Sequence, residues 1–200
     1  LDFFKDINEI RDSFHRFANL LPGDGTLIIN SEIDNYKDLI KDLSCKVVTY
    51  GFNETDDYYA SNIIYNENGY PTFTVNKKDG EVLSYSLSVP GMHNISNALA
   101  SIAFADLEGI DAKTTSEALK SFGGTNRRFD YKGKIGGVTI IDDYAHHPTE
   151  IRATLKAAEN YPHNHLWCVF QPHTYTRTKA FLEDFAKALS LAENIILADI

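Results

Sequence analysis

Residues 136–170 read GGVTIIDDYAHHPTEIRATLKAAENYPHNHLWCVF, and this stretch decides the fold class. "GGVTIIDD" predicts a strand, "HPTEIRATLKAAENY" a helix, and "HLWCVF" a second strand. Downstream, "TRTKAFLEDFAKALS" predicts another helix and "NIILADI" a third strand. The order β-α-β-α-β is typical of a doubly wound parallel sheet. Because the chain stops directly after the third strand, we expect this second domain to be truncated.

The preceding residues predict a different α/β domain that contains a β-meander. Helices are expected over 6–21 and 31–44, each followed by a short strand, at 26–30 and 46–51. From Tyr58 to Val89 apolar and polar residues alternate, with turn signals at "NENG" and "KKDG", which predicts three antiparallel strands. Two further helices, over 92–109 and 114–122, lead to Gly123–Gly124. We place the domain boundary there, between residues 1–124 and 125–200.

Composition excludes several classes of function. The 200 residues are 43% hydrophobic and carry 28 acidic against 19 basic side chains, a formal net charge of -9. This charge argues against nucleic acid or an anionic membrane as a partner, although single arginines and helix N-termini can still hold a small anion. No apolar run approaches the roughly 20 residues that a membrane span needs. We expect a cytoplasmic protein in which Cys45 and Cys168 are reduced, buried thiols.

Two polar clusters follow the first two strands of the second domain, "DDYAHHP" and "QPHTYTR". If these strands are neighbours in a parallel sheet, both clusters lie at one edge, where such sheets bind ligands. The residues that would then share one crevice are Asp142, Asp143, Tyr144, His146, His173, Tyr175 and Arg177. Alternatively, the aspartates only end a strand and His147 caps the helix that Pro148 begins. A metal site is disfavoured because adjacent histidines usually diverge and no zinc-type spacing is present.

The first domain carries a second candidate site in "VPGMHNISNALA". Asn94 and Asn97 are three residues apart on one helix face, and their amides suit the edge of an adenine ring, although Asn94 could simply cap the helix. In "GTNRRF", Arg127 and Arg128 stand near the boundary and could hold a phosphate or carboxylate, or be surface cations. No glycine-rich phosphate loop ending in Lys-Ser/Thr occurs in the 200 residues.

Four motifs, "VPGMHNISNALA", "GTNRRFDYKG", "IDDYAHHPTEI" and "FQPHTYTRTKAF", occur in this order, and together they resemble the Mur ligases of peptidoglycan synthesis. The resemblance covers essentially the whole chain. It implies the latter part of a central ATPase-type domain over 1–124 and the first half of a Rossmann-like C-terminal domain over 125–200. "LDFF" resembles the stretch after the family's metal-binding histidine. The UDP-sugar domain, the phosphate loop and the Mg²⁺ ligands would then precede Leu1, so we assign no metal ligand here and expect these 200 residues to be inactive alone.

The activity that the resemblance implies is ATP-dependent ligation of L-alanine to UDP-N-acetylmuramate through an acyl phosphate. His146 and Arg177 are the candidate catalytic residues, and ATP and Mg²⁺ are the implied cofactors. The matching nucleotide-contacting residues are Asn94, Asn97, Arg128 and Asp143, and those lining the amino-acid and muramoyl end are Tyr144, His146, His173 and Arg177.

Three other hypotheses about function are compatible with the sequence. The nearest is a ligase that attaches a recycled murein tripeptide to the same UDP-sugar. The second is a nucleotide-binding module without catalysis. The third is a metal hydrolase built on Asp142, Asp143, His146 and His147, which would need no ATP.

Overall fold

The structure is a computed structural model that describes residues 3–200, so the first half of "LDFF" lies outside the described residues. By contacts between residues the chain divides into two compact units. The first comprises residues up to Ile63, Phe73–Tyr85 and Ser96–Ser116, and the second Ile64–Thr72, Ser86–Ile95 and Glu117–Ile200. A domain boundary at Gly124 stays a prediction. Within residues 3–200 no helix is long and apolar enough to cross a bilayer.

The start of the chain folds largely as its pattern predicts. Helix α1 (Ile7–Ala18) begins at Asp6, whose carboxylate accepts hydrogen bonds from the backbone amides of Asn8 and Glu9. Strands β1 (Thr26–Asn30) and β2 (Lys46–Gly51) pair in parallel. These three elements confirm the βα pattern read from the sequence.

The helix predicted over 31–44 is wrong for most of its length. Only α2 (Tyr36–Leu39) is helical, because Asn35 and Asp42 both adopt left-handed backbone conformations with φ of 58°. Ser31, the expected cap, instead donates a hydrogen bond of 2.7 Å to the buried carboxylate of Asp56. The Ser31 hydroxyl, which was expected to cap the helix, is thus engaged in a tertiary contact.

The predicted meander is confirmed as β3 (Tyr58–Tyr65), β4 (Pro71–Lys77) and β5 (Val82–Ser86). The five-stranded sheet has the order β1-β2-β3-β4-β5, with β2 and β3 parallel. Strands β4 and β5 run antiparallel, since partner numbers fall on one strand as they rise on the other: Leu87 N donates to Pro71 O, and Lys77 N to Glu81 O.

Helix α3 (Met92–Leu107) follows the meander, and α4 (Ala112–Ser121) follows α3. On α3 the side chains of Ile95, Leu99 and Ile102 are at most 2% exposed, and their spacing defines one apolar helix face. The sheet is tied to α3 by Asp106, which accepts hydrogen bonds from the Tyr58 hydroxyl (2.5 Å) and from Lys77 Nζ (2.7 Å).

The second unit contains a hairpin that the sequence reading missed. Strands β6 (Asp130–Ile135) and β7 (Val138–Asp142) pair antiparallel around Gly136 and Gly137, both at positive φ. The Gly-Gly pair between two short extended segments is a hairpin signal. Only β7 was predicted.

The rest of the unit follows the predicted alternation: α5 (Pro148–Glu159), β8 (Trp167–Phe170), α6 (Tyr175–Ala180), α7 (Leu182–Leu189) and β9 (Asn194–Leu197). The helix expected over 176–190 is broken into α6 and α7 at Phe181. Strands β8 and β9 are parallel. The core consists of Ile151, Leu155, Phe170, Phe185, Ala188, Leu189 and Ala192.

One expectation about this sheet is wrong. Strands β7 and β8 are not hydrogen-bonded neighbours: β7 pairs with β6, and β8 pairs with β9. A cavity of about 200 Å³ is lined by residues of β7, β8 and α5, among them Ile141, Leu155 and Val169. The α/β class is confirmed, but the two polar clusters are not brought together by direct strand pairing.

Candidate functional site

The loop at residues 143–147 lies between the end of β7 and the start of α5. His147 is the N-cap of α5, and its Nδ1 accepts a hydrogen bond from the amide of Thr149 (3.3 Å). Glu150 completes a capping box by accepting from the amides of His146 (3.0 Å) and His147 (3.2 Å). The ring of His147 also lies edge-on to Phe181, with centroids 5.2 Å apart. The capping role weighed for His147 is therefore confirmed.

Asp143 uses its carboxylate to hold the backbone around it. Oδ2 accepts from the amide of Phe129 (2.9 Å) and Oδ1 from the amide of Ala145 (2.7 Å). Phe129 has φ of 48°, a conformation in which a bulky residue is strained. Asp143 thus fixes the 127–129 turn against the 143–147 loop, and each oxygen retains lone-pair capacity for a further donor.

The exposed ring of Tyr144 is held by Arg127. The guanidinium carbon lies 4.5 Å from the ring centroid, and the Tyr144 amide donates to the Arg127 carbonyl (2.8 Å). Arg127 Nε is also 3.7 Å from a carboxylate oxygen of Asp142. Arg127 is therefore a positioning cation for Tyr144, a role that the sequence did not single out.

His146 has a defined tautomer in its neutral form. Its Nδ1 lies 2.9 Å from the carbonyl oxygen of Tyr144. Since a carbonyl can only accept, Nδ1 carries the proton, and the Nε2 lone pair is left to receive one. The ring packs edge-on against Tyr144, with centroids 5.2 Å apart. This arrangement suits a general base whose acceptor nitrogen is Nε2.

His93, at the start of α3, belongs to this neighbourhood, although the sequence reading gave it no role. The surrounding protein removes enough hydration to lower the pKa of the imidazole; Asp143 opposes this shift and Arg128 adds to it. Gly91 permits the arrangement, because at φ of 97° a Cβ there would stand 2.6 Å from His93 Cε1. The motif "PGMH" was the available signal: a glycine two residues before a histidine at a sharp turn.

The predicted nucleotide-contacting residues lie on three segments: the start of α3, the 127–129 turn, and the 143–147 loop, which begins with Asp143. Asn94 sits in the first turn of α3, where its Nδ2 donates to the carbonyl of Pro90 (2.8 Å), and Asn97 follows one turn later with an exposed side chain. Arg128 is half exposed, and its Nη1 lies 3.8 Å from Glu150 Oε1. The structure therefore connects Arg128 to the 143–147 loop and to the environment of His93.

Arg177 and His173 are not joined to that loop by a hydrogen bond or ion pair among residues 3–200. His173 is exposed in the segment between β8 and α6, and Arg177 is half-buried on α6. Phe181, the residue that ends α6, contacts His147 and so places this helix beside the start of α5. Tyr175, from the same cluster, directs its hydroxyl to the carbonyl of Ile200 (3.5 Å).

A cavity of about 460 Å³ adjoins Arg128. Its walls include Phe129 and Tyr161, whose ring centroids are 6.0 Å apart, together with Tyr70 and Thr125. Aromatic walls with a cation at the edge are suited to a flat, anionic ligand. Sequence reasoning did not assemble these residues, because they come from distant positions in the chain.

Metal ligation does not arise from the residues described. Across residues 3–200, no group of three or more His, Cys, Asp or Glu side chains is arranged to hold an ion. Asp142, Asp143, His146 and His147 are instead engaged with backbone groups or with neighbouring side chains. These four side chains do not fit a Mg²⁺ site.

Comparison with known proteins identifies the family. Residues 1–105 match the Mur ligase middle domain, and residues 127–199 match the Mur ligase, glutamate ligase domain. Over its full length the chain is 54% identical to a UDP-N-acetylmuramate–L-alanine ligase of Agathobacter rectalis, of which it covers 44%.

Two solved structures extend the match. The alanine ligase of Thermotoga maritima aligns with 98% of this chain and 42% of its own, at a TM-score of 0.77 and 30% identity. A murein peptide ligase of Psychrobacter arcticus aligns with 97% of this chain and 41% of its own, at a TM-score of 0.66 and 28% identity. The chain belongs to the Mur ligase family. It spans less than half the length of the curated relatives that it matches.

Proposed function

We propose that the protein of which these residues form part is an ATP-dependent ligase that joins L-alanine to UDP-N-acetylmuramate in peptidoglycan synthesis. The observation that carries the proposal is the 54% identity to a relative with this name, sustained over all 200 residues. In the proposed reaction ATP phosphorylates the muramoyl carboxylate, and the alanine amine displaces phosphate from the resulting acyl phosphate.

The nucleotide end of the site is assigned to Asn94, Asn97, Arg128 and Asp143. The amides of the two asparagines offer donor and acceptor groups to an adenine edge, and Arg128 supplies a half-exposed guanidinium for phosphate oxygens. Asp143 would accept from a ribose hydroxyl with the lone pairs that its two backbone bonds leave unused. All four assignments rest on the family resemblance, and the side chains of Asn94, Arg128 and Asp143 also have defined partners in the structure.

The acceptor end is assigned to Tyr144, His146, His173 and Arg177. An arginine can pair bidentately with the alanine carboxylate, which is the role proposed for Arg177. His146 Nε2 would receive the proton that the amine loses on attack, because the Tyr144 carbonyl holds the ring's other proton on Nδ1. Tyr144, fixed by Arg127, would form a wall of this end of the site.

Phosphate release by the full-length protein tests the function. ATP, Mg²⁺ and UDP-N-acetylmuramate are supplied with either L-alanine or the murein tripeptide. We expect release that depends on alanine, and a new amide product in the same reaction. Release only with the tripeptide would reassign the protein to the recycling reaction. No release with either acceptor, combined with binding of ADP, would favour a nucleotide-binding module.

Ligation of the murein tripeptide is the second candidate function, because the murein peptide ligase of Psychrobacter arcticus has the same fold and is 28% identical to this chain. The curated relatives favour alanine, since several named alanine ligases reach between 46% and 54% identity across the chain. The acceptor experiment separates the two directly.

A further inference from the structure

Glu150 has contacts beyond those that a helix cap requires. Its Oε2 accepts hydrogen bonds from the amides of His146 (3.0 Å) and His147 (3.2 Å), and the same oxygen lies 3.6 Å from His146 Nδ1. Its other oxygen, Oε1, faces Arg128 Nη1 at 3.8 Å. The two oxygens therefore serve different partners: one holds the loop backbone and the other faces the arginine.

The surroundings of the Glu150 carboxylate favour its ion pair with Arg128. Burial acts to raise the pKa of Glu150, but the amide and the charge of His146, the amide of His147 and, least of these, the charge of Arg128 outweigh it, so the pKa is lowered and the group is ionised near neutral pH. The nearby Asp143 carboxylate is already bound by two backbone amides. Within residues 3–200, the ion pair recorded for Arg128 is the one with Glu150.

We propose that Glu150 is a positioning residue that aligns the Arg128 guanidinium with the loop carrying Tyr144 and His146. This inference rests on the proposed function, in which Arg128 contacts the nucleotide and His146 the acceptor. One carboxylate sets the spacing between the two ends of the reaction. It touches neither substrate, and it acts through the groups that do.

The asymmetry of the two oxygens allows a discriminating test in the full-length protein. In Glu150→Gln the amide oxygen can keep both cap bonds, since glutamine also completes a capping box. That orientation turns the NH₂ group toward Arg128, so attraction is replaced by two opposed donors. Glu150→Ala removes both functions. Glu159→Gln, exposed at the far end of the same helix, makes the same change of charge and serves as the control.

The readouts are ADP binding by calorimetry, KM for ATP and for alanine, and backbone hydrogen exchange over residues 144–150. We expect Glu150→Gln to exchange like wild type, to bind ADP about three- to fivefold more weakly, and to raise KM for ATP while KM for alanine changes less than about twofold. Glu150→Ala should exchange faster and raise both constants. Glu159→Gln should match wild type throughout.

Wild-type affinity for ADP in Glu150→Gln would overturn the positioning role, and so would faster exchange in that variant with equal losses for both substrates. The wild-type reactions distinguish this failure from that of the proposed function. If wild type binds ADP but releases no phosphate with alanine, the acceptor assignment fails, while the difference in ADP binding between the two glutamine variants still decides the role of Glu150.

Discussion

Replacing Gly91 with alanine tests the turn that positions His93, an imidazole whose pKa responds to the charges of Asp143 and Arg128. Gly91 has φ of 97°, and Gly80, in the turn between β4 and β5, has φ of 92°. An alanine at either position destabilises the backbone by a similar amount, about 1–2 kcal/mol, because an L residue is strained at positive φ. Gly80→Ala is therefore a matched control for that backbone cost.

The two positions differ in what an added Cβ meets. At Gly80 there is nothing within 4 Å, whereas at Gly91 the Cβ would lie 2.6 Å from His93 Cε1, 2.8 Å from His93 Nδ1 and 3.2 Å from Ala157 Cβ. Real atoms do not approach so closely, so the His93 ring must rotate away from its place. Displacing a side chain from its preferred rotamer costs about 0.5–1.5 kcal/mol beyond the backbone strain.

Thermal unfolding of both variants in the full-length protein checks this difference. We expect the midpoint of Gly91→Ala to lie about 0.5–1.5 °C below that of Gly80→Ala, because the full-length protein is more than twice as long as these 200 residues. Because His93 moves, Gly91→Ala should also weaken ADP binding, whereas Gly80→Ala should leave it unchanged. Equal midpoints and equal ADP affinity in the two variants would refute the packing of His93 over Gly91.

Three further outcomes are expected. Asp143→Asn should lower the free energy of unfolding by about 1–3 kcal/mol in denaturant titrations, because one of the two backbone amides then faces an NH₂ group. Asp142→Asn, which loses only long and partly exposed ion pairs, should lower it less. Arg177→Ala should raise KM for alanine about tenfold or more and leave KM for ATP nearly unchanged. Lys179→Ala, on the same helix, is the control. An unchanged KM for alanine in Arg177→Ala would remove Arg177 from the acceptor site. Burial acts to raise the pKa of Asp106, but hydrogen bonds from Lys77 and Tyr58 outweigh it and lower the pKa below its ordinary value of 3.8. Its stabilising contribution is therefore complete above that value and is lost as pH falls through the lower folded-state pKa, so Asp106→Asn should flatten the acid-unfolding curve; an unaltered curve would contradict the network.

Local patterns were sufficient where one element buries one face. The strand "TLIIN" and the apolar face of α3 through Ile95 and Leu99 depend on spacing that is written in the chain itself. The start of α5 was equally readable, since His147 and Pro148 cap a helix through contacts within four residues. The four motifs also pointed to the family, because their order and spacing are properties of the sequence alone.

Tertiary structure decided the features that depend on distant partners. Ser31 donates a hydrogen bond to Asp56 instead of capping the predicted helix. Strand β7 pairs with the unpredicted β6 rather than with β8. The carboxylate of Asp143 accepts hydrogen bonds from two backbone amides. Periodicity carries no information on such choices. A hydroxyl, a strand edge or a carboxylate takes whichever partner the folded chain brings within about 3 Å, and residues far apart in sequence supply that partner.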